Sequence, residues 1–507
     1  MRYIKSIAFA SLVLFSSCQN DILVVDIDEQ EPVRTFTAGT ESYGTKTYSD
    51  EEGNILWNAG DLISIFEAST VNEQYQVKDE SAGSTSAELE LVDSGDPGSG
   101  EPLEANIAYY PYSASVAVQT AVDGFDLAVD LPQTQQYVEG TFGNGSFPMV
   151  AVTSDADDRN LKFKNVLGCL KLQLTGTAAI ASISVTGNSD EILYGPAVVT
   201  GSSSTTPVIA LSDSDAKTVT LDCGPSGVQL NKATPTVFVL ALPPVTMANG
   251  FSIVITDIYG GQMEKTTTRA QVIQRSGILK MPAFRYINAE AVDLGLSVKW
   301  SSLNMGANRP GEEGDYFAWG ETKAYGEDYP ENLHNAIWGS TVKTHYSIYT
   351  YIFSEGIERE ECEKNITKYN GEDGKTVLDP EDDAAVQVWG DGWRMPTFRE
   401  MHELYSCEWR KCWYPYPYYD REVGIGYEVV GRNGNTIFFP FTASRGGYDI
   451  EGEGHGRYWT NELEVYSQIY MYNFPLHAMI LNFNSTEVAM VGMDRRYGNC
   501  IRPVKDY

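Results

Sequence analysis

The chain has 507 residues, too many for one hydrophobic core, and this length points to about three domains. Its 36 Lys and Arg stand against 69 Asp and Glu, a formal net charge of -33 at pH 7. That balance excludes nucleic acid and an anionic membrane surface as partners, because phosphate binding needs clustered cations.

Residues 1–17 begin with Arg2 and Lys5, run apolar from Ile7 to Phe15 and close on Ser16 and Ser17, which reads as an export signal too short to span a bilayer. The small residues before Cys18 resemble a bacterial lipoprotein box, although Phe15 stands where such a box usually has Leu. The resemblance implies that Cys18 becomes lipidated and is the first residue after cleavage. Residues 18–34 then form a tether. Leu23, Val25 and Ile27 alternate along a short strand, and Arg34 is exposed to a trypsin-like protease.

Residues 35–157 read as a first β-sandwich of short alternating strands, among them Thr35-Phe36-Thr37-Ala38 and Leu62-Ile63-Ser64-Ile65-Phe66. A second sandwich spans residues 158–286. It opens near Leu161 and includes a hairpin arm, Phe251 to Thr256, with its turn at Tyr259-Gly260-Gly261. Neither unit contains a histidine or a nucleophile beside a base, so both read as scaffold.

Four groups of residues recur in order through these two units: Thr45-Lys46-Thr47-Tyr48; Trp57-Asn58-Ala59-Gly60-Asp61; Phe163-Lys164-Asn165; and Pro243-Pro244 with Gly250-Phe251 and Arg275-Ser276-Gly277. Together they resemble the fimbrillins, lipoprotein pilins of Bacteroides-type bacteria with two β-sandwiches of transthyretin-like topology. The resemblance implies an outer-membrane lipoprotein precursor cut after Arg34. It also implies donor-strand exchange with other fimbrial subunits, in which the Leu23-Val25-Ile27 strand leaves a groove that a neighbour's strand fills by β-augmentation.

Beyond Met281 the composition changes, with eight of the nine tryptophans and all five histidines. Residues 290–507 are a different domain. Its helix signal is Trp389-Gly390-Asp391-Gly392-Trp393, followed by Thr397, which with Glu400 makes a capping box ahead of a stripe of Phe398, Met401, Leu404 and Tyr405. Arg394, Glu400, His402 and Glu403 crowd there. They read either as a site or, more simply, as the frame that packs one helix on a sheet. A hairpin is expected from Tyr427 to Phe439 around Asn433-Gly434.

Those segments, with Val292 to Trp300, Gly314 to Glu321, Arg457-Tyr458-Trp459-Thr460 and Tyr497 to Pro503, resemble the Fibrobacter succinogenes major paralogous domain. That family is similar to C-type lectin-like and formylglycine-generating-enzyme-like folds, and the resemblance implies a surface recognition head of α+β type. Residues 325–383 depart from the family as a long aromatic and charged insertion. The expected fold is therefore mainly β, two transthyretin-like sandwiches followed by a lectin-like head.

No catalytic residue set is present. His334, His345, His402, His455 and His477 lack metal spacing, and Cys500 lacks a partner in its own segment for an oxidase copper site. Cys407 with Cys412 or Cys500 are candidate disulfide pairs. No cofactor is expected. Calcium is weighed at Asn461 and Glu462, whose oxygens suit it but fall short of the six or more it needs, so a strand end facing water is the better account. The aromatic cluster Trp409, Trp413, Tyr414, Tyr416, Tyr418 and Tyr419, broken by two prolines, is the candidate contact for a host or bacterial surface glycan or protein. The expected function is a fimbrial subunit, placed at the pilus tip because no C-terminal strand is left to donate. The alternative is a surface lipoprotein that captures glycans without polymerising.

Overall fold

The computed structural model describes residues 35–41, 55–94, 100–121, 124–143, 145–212, 215–324, 368–369, 373–413, 425–446, 449–464, 477–495 and 497–507. It is mainly β, with 49% strand and 4% helix. No helix among the described residues is long and apolar enough to cross a membrane.

The strand Phe36–Thr40 starts two residues past Arg34 and buries Phe36 and Ala38 on one face. It lies between Asn160–Asn165, with which it runs parallel, and Ser86–Asp93, with which it runs antiparallel. This contact closes a seven-stranded ladder that also holds Leu62–Ala68, Val71–Val77, Pro102–Tyr110 and Met149–Val152. Period-two burial fills the inside with Ile63, Ile65, Tyr75, Val77 and Leu89. Trp57 completes it, its indole set edge-on to Tyr110 and Phe163 at 5.3 Å each.

The expected division at 157/158 does not separate the strands. Asn160–Asn165 closes the first ladder, Gly124–Leu131 pairs along its length with Gly195–Gly201, and Thr134–Gln136 lies parallel to Thr218–Asp222. Hydrophobic alternation resumes at Leu161, but the partner each strand chooses is set by long-range packing, so two β units share strands across that residue.

The second core gathers Leu170, Leu172, Leu174, Ile183, Val185, Phe238, Leu240, Leu242, Phe251 and Ile255. Ala179–Gly187 pairs with Phe251–Asp257, which turns back into Gln262–Thr267 as the expected hairpin. Asp257 fastens that turn by accepting from the Tyr259 and Gly261 amides at 2.8 and 2.9 Å, and Gly260 supplies the positive φ of 85°.

The head begins with Ala291–Asp293 and Lys299–Ser301. Val504–Lys505 pairs with Lys299–Ser301 on one side and Trp393–Arg394 on the other. Among the described residues of the head there are two α-helices, α1 (Ala384–Val388) and α2 (Phe398–Tyr405). The capping box forms as expected, the Glu400 amide donating to Thr397 Oγ1 and the Thr397 amide to the Glu400 carboxylate. The apolar stripe is narrower than expected, with Met401 and Leu404 buried and Tyr405 exposed. The Ile425–Val430 and Thr436–Pro440 hairpin turns at Asn433-Gly434, Gly434 having φ 87°.

Under all of this lies Arg502, fully buried and with no carboxylate partner among the described residues. Its guanidinium donates to Asn304 Oδ1 at 2.7 Å, to the Ser301 carbonyl at 3.1 Å and to the Phe438 carbonyl at 2.8 Å, with the Phe439 ring 4.2 Å away. The head meets the second β unit through a polar seam. Lys232 pairs with Asp315, Thr177 donates to Asn308 Oδ1 at 3.0 Å, Asn288 donates to both Asp257 and the Asn308 carbonyl, and Arg309 covers the Tyr259 ring at 4.3 Å.

Candidate functional site

Two places have geometry that bears on function: a strand edge between the two β cores, and the head. The edge strand is Thr236–Leu242, which among the described residues has a ladder partner on one side only, Gly168–Thr175. Its two faces are both buried. Phe238, Leu240 and Leu242 enter the second core, while Val239 and Ala241 enter the first.

Cys169 and Lys171 bond outward to Gly277 and Met281, so the opposed Ala241 and Val239, with Val237, direct their backbone groups to the outer edge. At Ala241 that edge is closed by a side chain. Gln135 Nε2 donates to the Ala241 carbonyl at 2.7 Å and the Ala241 amide donates to Gln135 Oε1 at 2.9 Å. Val237 and Val239 have no ladder partner on this side among the described residues, an arrangement that another strand can extend.

The residues singled out in the two β units meet close by. Asn165 Nδ2 donates to Ser276 Oγ at 2.7 Å, and the Cys169 amide donates to the Gly277 carbonyl at 2.9 Å. Arg275 grips Glu41 with both terminal nitrogens, at 2.7 and 2.9 Å, and also donates to the Asn165 carbonyl. Asp61 accepts from the Asn58 amide at 2.9 Å and from the Tyr110 hydroxyl at 3.3 Å, and burial raises its pKa. These residues hold strands together. Cys18 and Arg34 lie outside the described residues.

In the head the polar group around α2 divides into separate structural contacts. Arg394 binds Glu400 through two nitrogens, at 2.8 and 2.6 Å, and reaches Asp506 at 2.8 Å. Glu403 accepts from the Ser297 amide at 3.0 Å, and exposed His402 rests against Phe398 and Tyr405. Glu462 accepts from the Phe398 amide at 2.9 Å, at the start of α2, while Asn461 is buried, its amide bonded to the Pro396 carbonyl at 2.9 Å. The water-facing strand end expected at 461 and 462 is thus an internal joint, because both residues fasten α2 to the sheet.

The aromatic cluster also divides. Trp409 packs on Tyr427, Phe439 and Phe483 at 5.4 to 5.8 Å, and its indole nitrogen donates to the Leu404 carbonyl at 3.3 Å. It is partly buried and packs against the head's core. Trp409→Ala is expected to lower head stability by about 3 kcal/mol, read as a lower midpoint in urea unfolding. Trp413 is described only as a strand residue opposite Ile425, and Tyr414, Tyr416, Tyr418 and Tyr419 lie outside the described residues. The described cysteines are free rather than paired. Cys500 is fully buried, and Cys407 Sγ donates to the Glu403 carbonyl.

One acidic group among the described residues has carboxylates close enough for a metal ion: Asp379, Glu381 and Asp382, within 4.8 Å of one another. Sequence spacing gave no sign of it, since its centre is supplied by Lys368, at the end of the insertion. The Lys368 ammonium lies 2.7, 2.9 and 2.5 Å from the three carboxylates. Asp382 is 2% exposed and also accepts from the Tyr369 hydroxyl at 2.6 Å, while Lys375 reaches Asp379 at 2.5 Å. Hydrogen bonds from Lys368 and Lys375 hold the Asp379 carboxyl down to about 2. Burial, with the Asp382 charge added, pushes the Glu321 carboxyl up to about 8. A protein ammonium stands where a divalent cation would otherwise be sought.

No family model matches the chain, and no curated protein matches it. Solved structures similar to it include cell-adhesion and fimbrial proteins of Bacteroides. A candidate cell adhesion protein from Bacteroides ovatus is 11% identical over 48% of this chain and 90% of its own, with a TM-score of 0.31. Another, from Bacteroides uniformis, is 16% identical over 47% and 88%, with a TM-score of 0.27. A fimbrial protein from Bacteroides ovatus is 9% identical over 94% and 100%, with a TM-score of 0.20.

Proposed function

We propose that this protein is a fimbrial subunit of the bacterial surface, made as an outer-membrane lipoprotein precursor and placed at the pilus tip, where its head binds carbohydrate or protein. The observation that carries this reading is the edge strand Thr236–Leu242. Its Val237 and Val239 backbone groups face outward beside two apolar cores, as a strand acceptor requires. The first described strand, Phe36–Thr40, follows directly on Arg34, so a cut there leaves the closed ladder whole and frees everything before it. Strand addition then gains ladder hydrogen bonds along an edge that would otherwise invite nonspecific pairing.

The test is processing. Mature protein recovered from fimbriae is expected to begin at Thr35, whereas Arg34→Ala should retain lipidated Cys18 and stay out of the fibres. Wild-type protein that keeps a lipidated Cys18 on the cell, with no polymer, would instead establish the glycan-capturing lipoprotein.

A further inference from the structure

The sheet formed by Glu408–Trp413, Ile425–Val430 and Thr436–Pro440 changes character along one face. At Trp409 that face is core. Two residues on, Lys411 occupies the same face, opposite Tyr427, which is itself opposite Phe439; Phe441 follows two residues beyond. Here the core opens into a surface cavity of about 490 Å3, lined by Lys411, Phe441, Glu453, His455, Asn484 and Thr486 among others. That volume is within the range of small-molecule sites.

The cavity is built rather than incidental. The Phe441 ring is held 5.6 Å from Phe483 and 6.1 Å from Tyr427. The Tyr427 hydroxyl donates to the Asn484 carbonyl at 2.8 Å, tying the turn at 484–487 to the sheet, and Asn484 Oδ1 fastens that turn by accepting from the Thr486 and Glu487 amides at 2.8 and 3.1 Å. His455 Nδ1 lies 3.3 Å from Asn482 Oδ1, an oxygen that also accepts from Arg457 Nε. An acceptor at that position makes Nδ1 the donor, and in that tautomer Nε2 accepts a hydrogen bond from a ligand hydroxyl.

Charge then narrows the ligand. On a chain of net charge -33, Lys411 is an exposed cation with no ion pair among the described residues, whereas its neighbour Arg410 is bound by Glu408 at 2.8 Å. Glu453, the one carboxylate of the lining, is also unpaired among the described residues and can accept hydrogen bonds from hydroxyl groups. An aromatic ring, an imidazole acceptor, a carboxylate and one free ammonium together match a hydroxyl-rich ring with a negative group. We infer that this cavity binds a saccharide bearing a carboxylate, of the uronic or sialic acid type, with its carboxylate on Lys411. This rests on the reading of the head as a binding module and names its ligand class.

The experiment is saturation-transfer NMR and calorimetric titration of the full chain with glucuronic acid, N-acetylneuraminic acid and glucose. At least one acidic sugar is expected to bind, with glucose at least tenfold weaker. Lys411→Ala should weaken that binding at least tenfold and Lys411→Arg largely restore it, both with unchanged melting midpoints. Binding of the acidic sugar unaltered in Lys411→Ala, or glucose bound equally well, overturns the inference. If neither acid binds while the protein still adheres to glycan-coated surfaces, the cavity assignment falls and the binding head stands. If it neither binds nor adheres yet enters fibres, the head's binding role falls with it.

Discussion

Replacing Arg502 with Ala is expected to cost the head about 5 kcal/mol, and replacing it with Lys about 3 kcal/mol. The guanidinium is fully buried, and no carboxylate among the described residues pairs with it. It is held by the amide oxygen of Asn304 and by carbonyls of Ser301, Ser302 and Phe438, so its removal strands acceptors from two separate segments, 301–304 and the strand that carries Phe438. An ammonium is a single point with three donors and cannot span a planar fork that reaches both Ser301 and Phe438. Burial pushes the Arg502 pKa down to about 10, which still leaves it charged at pH 7. Eight of the nine tryptophans lie in the head region, so tryptophan fluorescence reports mainly on its unfolding. The expected fall in that transition is about 10–20 °C for Ala. A fluorescence transition left in place in both variants would show that Arg502 is dispensable.

The second large effect is at Lys368. Lys368→Ala leaves Asp379, Glu381 and the buried Asp382 facing one another without their shared cation, at an expected cost of about 4 kcal/mol. The variant should also gain a response the wild type lacks. Calcium at millimolar concentration is expected to restore part of the lost midpoint in Lys368→Ala, while neither calcium nor a chelator moves that of the wild type. The pH dependence has a definite sign. The Asp379 pKa is depressed on folding from about 3.8 to about 2. Its contribution is therefore complete above pH about 4 and is lost as the pH falls towards 2. Equal acid sensitivity in wild type and variant would remove Lys368 from that account.

Much of the fold was legible because it is local. The capping box at Thr397 and Glu400, the Asn433-Gly434 hairpin and the turn at Gly260-Gly261 are each decided within a few residues. The pairing of strands across 157/158 is not legible in the same way, because Asn160–Asn165 has the alternation of any strand, while its partner, Phe36–Thr40, lies more than a hundred residues away. Trp409 was grouped with its aromatic neighbours by composition. Alternation along Glu408–Trp413 sets it apart from Arg410, and the ring contacts show its face to be the inner one. The Lys368 cluster draws on an insertion whose residues match no motif, and the Lys411 cavity joins a strand to two distant turns, so neither had a signature to find.

The seam between the head and the second β unit has a mechanical consequence. In the proposed reading of the head as a binding module, a pull on it reaches the second β unit at two places: through Asn288 and Arg309 at the tip of the hairpin that turns at Gly260, and through Asp315 at Lys232. These contacts are all shorter than the roughly 8 Å over which dissolved ions screen charge at physiological ionic strength, so salt leaves them largely intact and load on the head is shared among separate points of the second β unit.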